Sequence, residues 1–270
     1  MDITKNPEQV VENGRKNLTV AVMLNKVPEV TIYFWLIKVL CTTIGETAAD
    51  YLNINLKLGL TITTIFMGVL LLVALFFQFR ARKYVAGIYW TAVAFLSIFG
   101  TLITDNLSDN LKVSLVTSTI GFSIALALTF FVWYKREKTL DIHSIFTTPR
   151  EAFYWLAILF TFALGTAAGD LLAERSHVGY LISLGIFAAA IALVAFAHLV
   201  FKMNGILAFW LAYILTRPLG ATCGDLLSQP RNLGGLGLGT VWTSAIFLVA
   251  ILVLVVYLAI TKRDVLTNSA

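Results

Sequence analysis

The sequence predicts an all-α membrane protein of eight transmembrane helices, built from four parallel two-helix repeats with pseudo-symmetry about the membrane normal. Three observations carry this. Of the 270 residues, 59% are hydrophobic and only 13% charged. Uncharged runs of about 20 residues recur, long enough to cross a bilayer core of roughly 30 Å. One residue pattern returns four times. A spanning run must satisfy its own backbone polar groups within lipid, which favours helices, and the ten-residue alternation of a membrane β-barrel is absent.

The runs predict helices over 29–53, 58–79, 86–107, 113–134, 152–172, 179–201, 206–227 and 237–260. Pro28 before Glu29 suits the first helix start, because proline lacks the N–H that is orphaned there anyway. Short turns at Asn53–Lys57, Ser108–Lys112, Ala173–Val178 and Ser228–Gly235 join the helices in pairs as hairpins. The chain then divides into an N-terminal segment 1–26, repeat one 27–83, repeat two 84–138, a loop with repeat three 139–202, repeat four 203–262 and a tail 263–270. The first segment is polar and lacks the apolar core and cleavage site of a signal peptide, so the first apolar run is expected in the mature protein.

Basic residues orient the helices. Lys5, Arg15, Lys16, Lys26, Arg80, Arg82, Lys83, Lys135, Arg136, Lys138, Arg150, Lys202, Lys262 and Arg263 fall on one side, against Lys57, Lys112, Arg175 and Arg231 on the other. This bias predicts cytoplasmic termini and inter-repeat loops in a multi-pass protein of the inner membrane.

The repeat reads as an aromatic, Trp, nine residues, Gly, four residues, Asp, one residue, Leu. Phe34–Trp35, Tyr89–Trp90, Tyr154–Trp155 and Phe209–Trp210 open the copies. Gly45, Gly100, Gly165 and Gly220 follow, then Asp50, Asp105, Asp170 and Asp225, then Leu52, Leu107, Leu172 and Leu227. Spacings of 55, 65 and 55 residues relate the copies, and an even number of crossings per copy makes all four parallel. On these residues the chain resembles a family of bacterial membrane proteins defined by a four-fold tandem repeat of unknown function, each copy with two transmembrane regions and a characteristic tryptophan. The resemblance runs from about Val27 to Lys262. It implies the architecture and no activity.

Within each repeat the first helix is the polar one. Lys38, Thr42, Glu46 and Asp50 recur every four residues and form a gently drifting stripe on one helix face. Ser97, Thr101 and Asp105 match them in repeat two, Thr166 and Asp170 in repeat three, and Arg217 and Asp225 in repeat four. The second helices are almost wholly apolar. The first helices are therefore expected around a central axis, with the second helices outside facing lipid. The GxxxG pairs Gly165/Gly169 and Gly220/Gly224, and their small-residue counterparts Gly45/Ala49 and Gly100/Thr104, suit close helix packing in lipid.

Intramembrane acids are costly, about 2.5–3.5 kcal/mol at the bilayer centre, and often mark ion paths. Two readings stay open for the four aspartates. Each is clamped by its own hairpin base (Lys57, Lys112, Arg175 or Arg231), or together they bind a cation or proton. Glu46, Lys38 and Arg217 occur in single repeats deep within the spans. They form either a buried ion pair that fixes helix register or part of a permeation site. The expected ion-binding set is Glu46, Asp50, Asp105, Asp170 and Asp225, with Lys38 and Arg217 compensating charge and Thr42, Ser97, Thr101 and Thr166 supporting. Carboxylates and hydroxyls favour hard ions such as Mn²⁺ or Mg²⁺, and Cys41 and Cys223 would tilt the choice toward softer metals if they faced inward.

The tryptophans suit an interfacial aromatic belt, and their repetition adds a shared packing role. His198 reads as a hydrogen-bonded packing residue, while His143 and His177 fall in loops. No Ser/His/Asp set, phosphate loop or HExxH motif is present and the connecting loops are short, so no enzyme activity is expected. The absence of a basic, aromatic-interleaved soluble segment speaks against nucleic acid. The expected partners are membrane lipid and a small cation or proton, with no cofactor beyond a bound divalent cation. The sequence thus predicts a cation transporter, with proton coupling in view. The alternative is a non-transporting scaffold or sensor whose aspartates clamp hairpins.

Overall fold

The computed structural model describes residues 25–175 and 178–265. Residues 1–24 and 266–270 of the predicted terminal segments, and His177, lie outside them. The described residues form eight long helices and no strand: α1 Ile32–Asp50, α2 Leu60–Arg80, α3 Ala86–Asp105, α4 Leu115–Glu137, α5 Thr148–Asp170, α6 Tyr180–Phe201, α7 Gly205–Ser228 and α8 Gly239–Thr261. All eight are long and apolar enough to cross a membrane. This is a multi-pass membrane protein.

α1, α3, α5 and α7 pack side by side in a closed ring, in that order, with α7 returning to α1. The repeated glycines set the approach. A Cβ on Gly45 would collide with Ser97, on Gly100 with Phe162, on Gly165 with Arg217 and on Gly220 with Thr42. Each glycine thus faces one register position on the next inner helix, and any side chain there would force the backbones apart.

The outer helices pack chiefly on a neighbouring repeat rather than on their own hairpin partners. α2 lies on α3, α4 on α5, α6 on α7 and α8 on α1, so each second helix covers the first helix of the following repeat. In the most apolar stretch of each inner span 56–61% of residues are buried, against 6–22% in the outer spans. The inner and outer placement is as expected.

Three local features depart from expectation. α1 begins at Ile32 rather than Glu29, because residues 25–31 are held across the bundle end. The Lys26 N–H donates to Ile145 O and the Glu29 N–H to Asp264 O, both at 3.0 Å. Next, α1, α3 and α5 run at Asp50, Asp105 and Asp170 into single π-helical turns, Tyr51–Asn55, Asn106–Asn110 and Leu171–Arg175. Such widened turns frequent functional sites. In repeat four α7 instead stays α-helical to Ser228 and a 3₁₀ turn follows. Finally, Trp90, Trp155 and Trp210 are core residues at 2–4% exposure, which overturns the belt reading for those three. They pack with Phe34, Tyr89, Tyr154 and Tyr213 at the end of the ring nearest residues 25 and 265, the terminal end.

Candidate functional site

The repeat spacing places Glu46, Thr101, Thr166 and Ala221 at one height in the four inner helices, and Thr42, Ser97, Phe162 and Arg217 one turn nearer the terminal end. Repeat four thus has a methyl group where the others carry polar side chains. Arg217, one turn away, reaches into that space and is wholly buried. Gly165 leaves room for its stem. Its Nη1 donates to Thr42 O at 3.2 Å. Its Nη2 faces Glu46 Oε2 at 3.0 Å, Thr166 Oγ1 at 2.7 Å and the Thr101 hydroxyl. One guanidinium therefore touches all four repeats. Nη2 has two hydrogens and three acceptors, so one acceptor can leave without orphaning it. The Thr101 hydroxyl in turn donates to Glu46 at 3.4 Å.

Toward the hairpin end the four helices diverge around a cavity of about 210 Å³, walled by Glu46, Asp50, Asp105, Asp170 and Asp225. All five expected carboxylates share it. Glu46, Asp170 and Asp225, from α1, α5 and α7, bring carboxylate oxygens within 4.8 Å of one another. Glu46 and Asp225 are buried, and Asp50, Asp105 and Asp170 are half-buried. Three carboxylates on rigid inner helices make a hard-oxygen donor set that fits Mn²⁺ or Mg²⁺. No cysteine belongs to that set. Cys41 is buried elsewhere in α1, and Cys223 hydrogen-bonds toward Thr43. The softer-metal option therefore finds no support.

Other predicted groups fall as follows. Lys38 is wholly buried, two helical turns from Glu46 toward the terminal end, with Nζ 4.1 Å from the ring centres of Phe162 and Tyr213. Ser97 is buried against Gly45, and the Thr42 hydroxyl bonds Thr216 O at 3.2 Å. Lys57, Lys112 and Arg231 are exposed, and the Arg175 side chain lies outside the described residues. His198 is held by a hydrogen bond with Met203 O at 2.8 Å.

Several functional neighbours escaped the sequence reading. Asn53, Ser108, Asp109 and Gln229 also line the cavity. They sit in segments predicted as connecting turns; π-helical turns carry Asn53, Ser108 and Asp109 there, and Gln229 caps the end of α7. At the terminal end Lys26 Nζ pairs with the wholly buried Glu151 at 2.6 Å and donates to Phe79 O at 3.0 Å. Gln78 Nε2 donates to the other oxygen of Glu151 at 3.2 Å. The Tyr84 hydroxyl donates to Asp264 at 2.6 Å, and burial raises the pKa of both groups.

A family model described as Repeat of Unknown Function (DUF347) matches the chain four times, over residues 33–84, 88–139, 153–204 and 208–264. No curated protein and no solved structure matches it.

Proposed function

The chain belongs to the family defined by that repeat, whose description assigns no activity, and from the residues we propose that it transports a small divalent cation across the membrane. The reading rests on one observation: three carboxylates from three inner helices converge within 4.8 Å at the floor of an acidic cavity. Carboxylates so close repel one another unless a cation or protons neutralise them. Asp50 and Asp105, on the same walls, raise the local cation concentration. Glu46 exchanges between two cations, the transported ion and Arg217, so the guanidinium neutralises the carboxylate when the site is empty. The basic-residue bias sets both termini in the cytoplasm of the inner membrane, with the cavity opening outward. A single cysteine at Asn110 should then be labelled from outside intact cells and one at Lys138 should not. The reverse pattern refutes this orientation.

A second reading, a scaffold whose polar groups only hold the helices in register, is favoured by the four-repeat contact of Arg217. Flux into proteoliposomes across a panel of divalent metals separates the two. The transport reading expects saturable uptake of Mn²⁺ or Mg²⁺, abolished in Glu46→Gln at a temperature where that variant is folded. No uptake of any metal by the wild-type protein would leave the scaffold reading standing.

A further inference from the structure

One buried charge has no task in the cation site as described. Lys38 is wholly buried in α1, and its Nζ has no hydrogen-bond partner among the described residues. It lies between the faces of Phe162 and Tyr213, which stack with centres 6.4 Å apart and planes 11° from parallel. Ring faces attract an ammonium through their quadrupoles, yet they neither accept its protons nor supply a counter-charge. Around Lys38 stand Arg217 and Tyr213 of α7 and Cys41 of α1. Beyond them are Tyr89 of α3 and Tyr154 of α5, whose hydroxyls bond each other at 2.6 Å. α8, which also packs on α1, carries no charged residue.

We propose that Lys38 carries the proton exchanged for the transported cation; this rests on the transport reading and extends it. The link is Arg217. When a cation takes Glu46, Nη2 keeps both hydrogens bonded, to Thr101 and Thr166, but the guanidinium loses its counter-charge beside the Lys38 ammonium. Arginine holds its proton in proteins, whereas a buried lysine can release one. Cation at the carboxylates and proton on Lys38 therefore exclude each other. In each cycle an N–H bond of Lys38 breaks and its proton passes to water on the side from which the cation enters. The amine then takes a proton from water on the side where the cation leaves. One proton moves against each cation.

The test uses the full chain in proteoliposomes, with Mn²⁺ as the probe and a trapped pH dye. The wild-type protein should move about one proton outward per Mn²⁺ taken up. Its Mn²⁺ affinity should rise about tenfold per pH unit while Lys38 remains protonated in the empty protein, as reciprocal linkage of one proton requires. In Lys38→Gln the protons moved per Mn²⁺ taken up should fall to background, and Mn²⁺ binding should lose the Lys38-linked part of its pH dependence. Lys38→Met repeats the test if the glutamine variant folds poorly. Lys38→Arg, fixed in its charge, should cut uptake at least about tenfold, on the same linkage. Proton movement that survives in Lys38→Gln, or wild-type uptake indifferent to pH, overturns the role of Lys38 while leaving transport intact. Absence of any Mn²⁺, Mg²⁺ or other divalent uptake by the wild-type protein overturns both.

Discussion

The two ends of the inner ring solve opposite problems with the same four helices. At the hairpin end every repeat carries an aspartate in or at the end of the last turn of its inner helix, and the helices leave a cavity among the carboxylates. At the terminal end every repeat carries an aromatic and a tryptophan, and the helices close on Phe34, Tyr89, Trp90, Tyr154, Trp155, Trp210 and Tyr213, all at 4% exposure or less. Each end also buries carboxylates, and their company differs. Glu151 at the terminal end is bonded by Lys26 and Gln78, whereas Glu46, bonded by Arg217, also shares one space with Asp50, Asp105, Asp170 and Asp225. A satisfied buried ion pair holds a structure in one arrangement. A crowd of like charges is tolerated where a ligand is to come and go. On the transport reading, the terminal end is the anchor and the hairpin end the working site.

This contrast can be broken by mutation. The largest effect is expected at Glu151: Glu151→Gln leaves the Lys26 ammonium buried without its counter-ion, and breaking such a pair costs about 3–5 kcal/mol. Thermal unfolding in detergent should show the loss, and Lys26→Met combined with Glu151→Leu should recover much of it. An unchanged midpoint in Glu151→Gln would mean the terminal end is no anchor.

Next in size is Gly220→Leu, whose side chain must enter the space held by Thr42. Overpacking costs about 1–3 kcal/mol, and more where two helices must separate, so the monodisperse yield on size exclusion should fall sharply. Gly185→Leu on α6, with open space around it, is the control and should leave the yield as it was.

A third variant should act with the opposite sign. Asp105→Asn removes one of five crowded carboxylates and should leave the metal-free protein as stable or more so, by up to about 1 kcal/mol for a half-exposed charge. Marked destabilisation would show that Asp105 is paired as Glu151 is, and the two ends would no longer differ in kind.

The smallest effect is a pH dependence at the terminal end. The hydrogen bond that His143 donates to Glu29 raises the His143 pKa above 6.5, with Nε2 3.3 Å from the carboxylate. A raised folded value means the contribution is complete below the unfolded value and disappears as pH rises through the folded one. The ring is 41% exposed, so solvent screening holds the effect below about 1 kcal/mol. The difference in unfolding midpoint between wild type and Glu29→Gln should be present at low pH and gone at high pH. A difference that persists at high pH would show that Glu29 acts through something other than the charge on His143.

The sequence made the inner ring legible because its signals are local and repeated. Gly45 and its three counterparts sit at one register position, and polar residues return every four positions along α1. It also pointed to five carboxylates that do share one cavity. The placement of α2, α4, α6 and α8 on the next repeat was not legible. These helices are apolar all round, so no stripe marks the face that packs, and a hairpin connection does not say which inner helix each one covers. Lys26 entered only as one of the basic residues that orient the helices and Glu151 carried no signal, because their partnership spans 125 residues and leaves no periodic trace. The inward turn of Asn53, Ser108 and Asp109 depends on π-helical turns, which leave no periodic signal in these short polar segments. The break in symmetry at Ala221 was visible, but its meaning needed the neighbouring helices, since only their assembly shows Arg217 filling the missing polar position.

The central claim is that Glu46, Asp170 and Asp225 form a cation site, and the most direct measurement is a titration of the purified full chain with Mn²⁺ followed by electron paramagnetic resonance. The account predicts one tight Mn²⁺ per chain, lost in both Glu46→Gln and Asp225→Asn and unchanged in Glu151→Gln at a temperature where that variant is folded. A wild-type protein that binds no Mn²⁺, or one whose binding is the same in Glu46→Gln and Asp225→Asn, would contradict it.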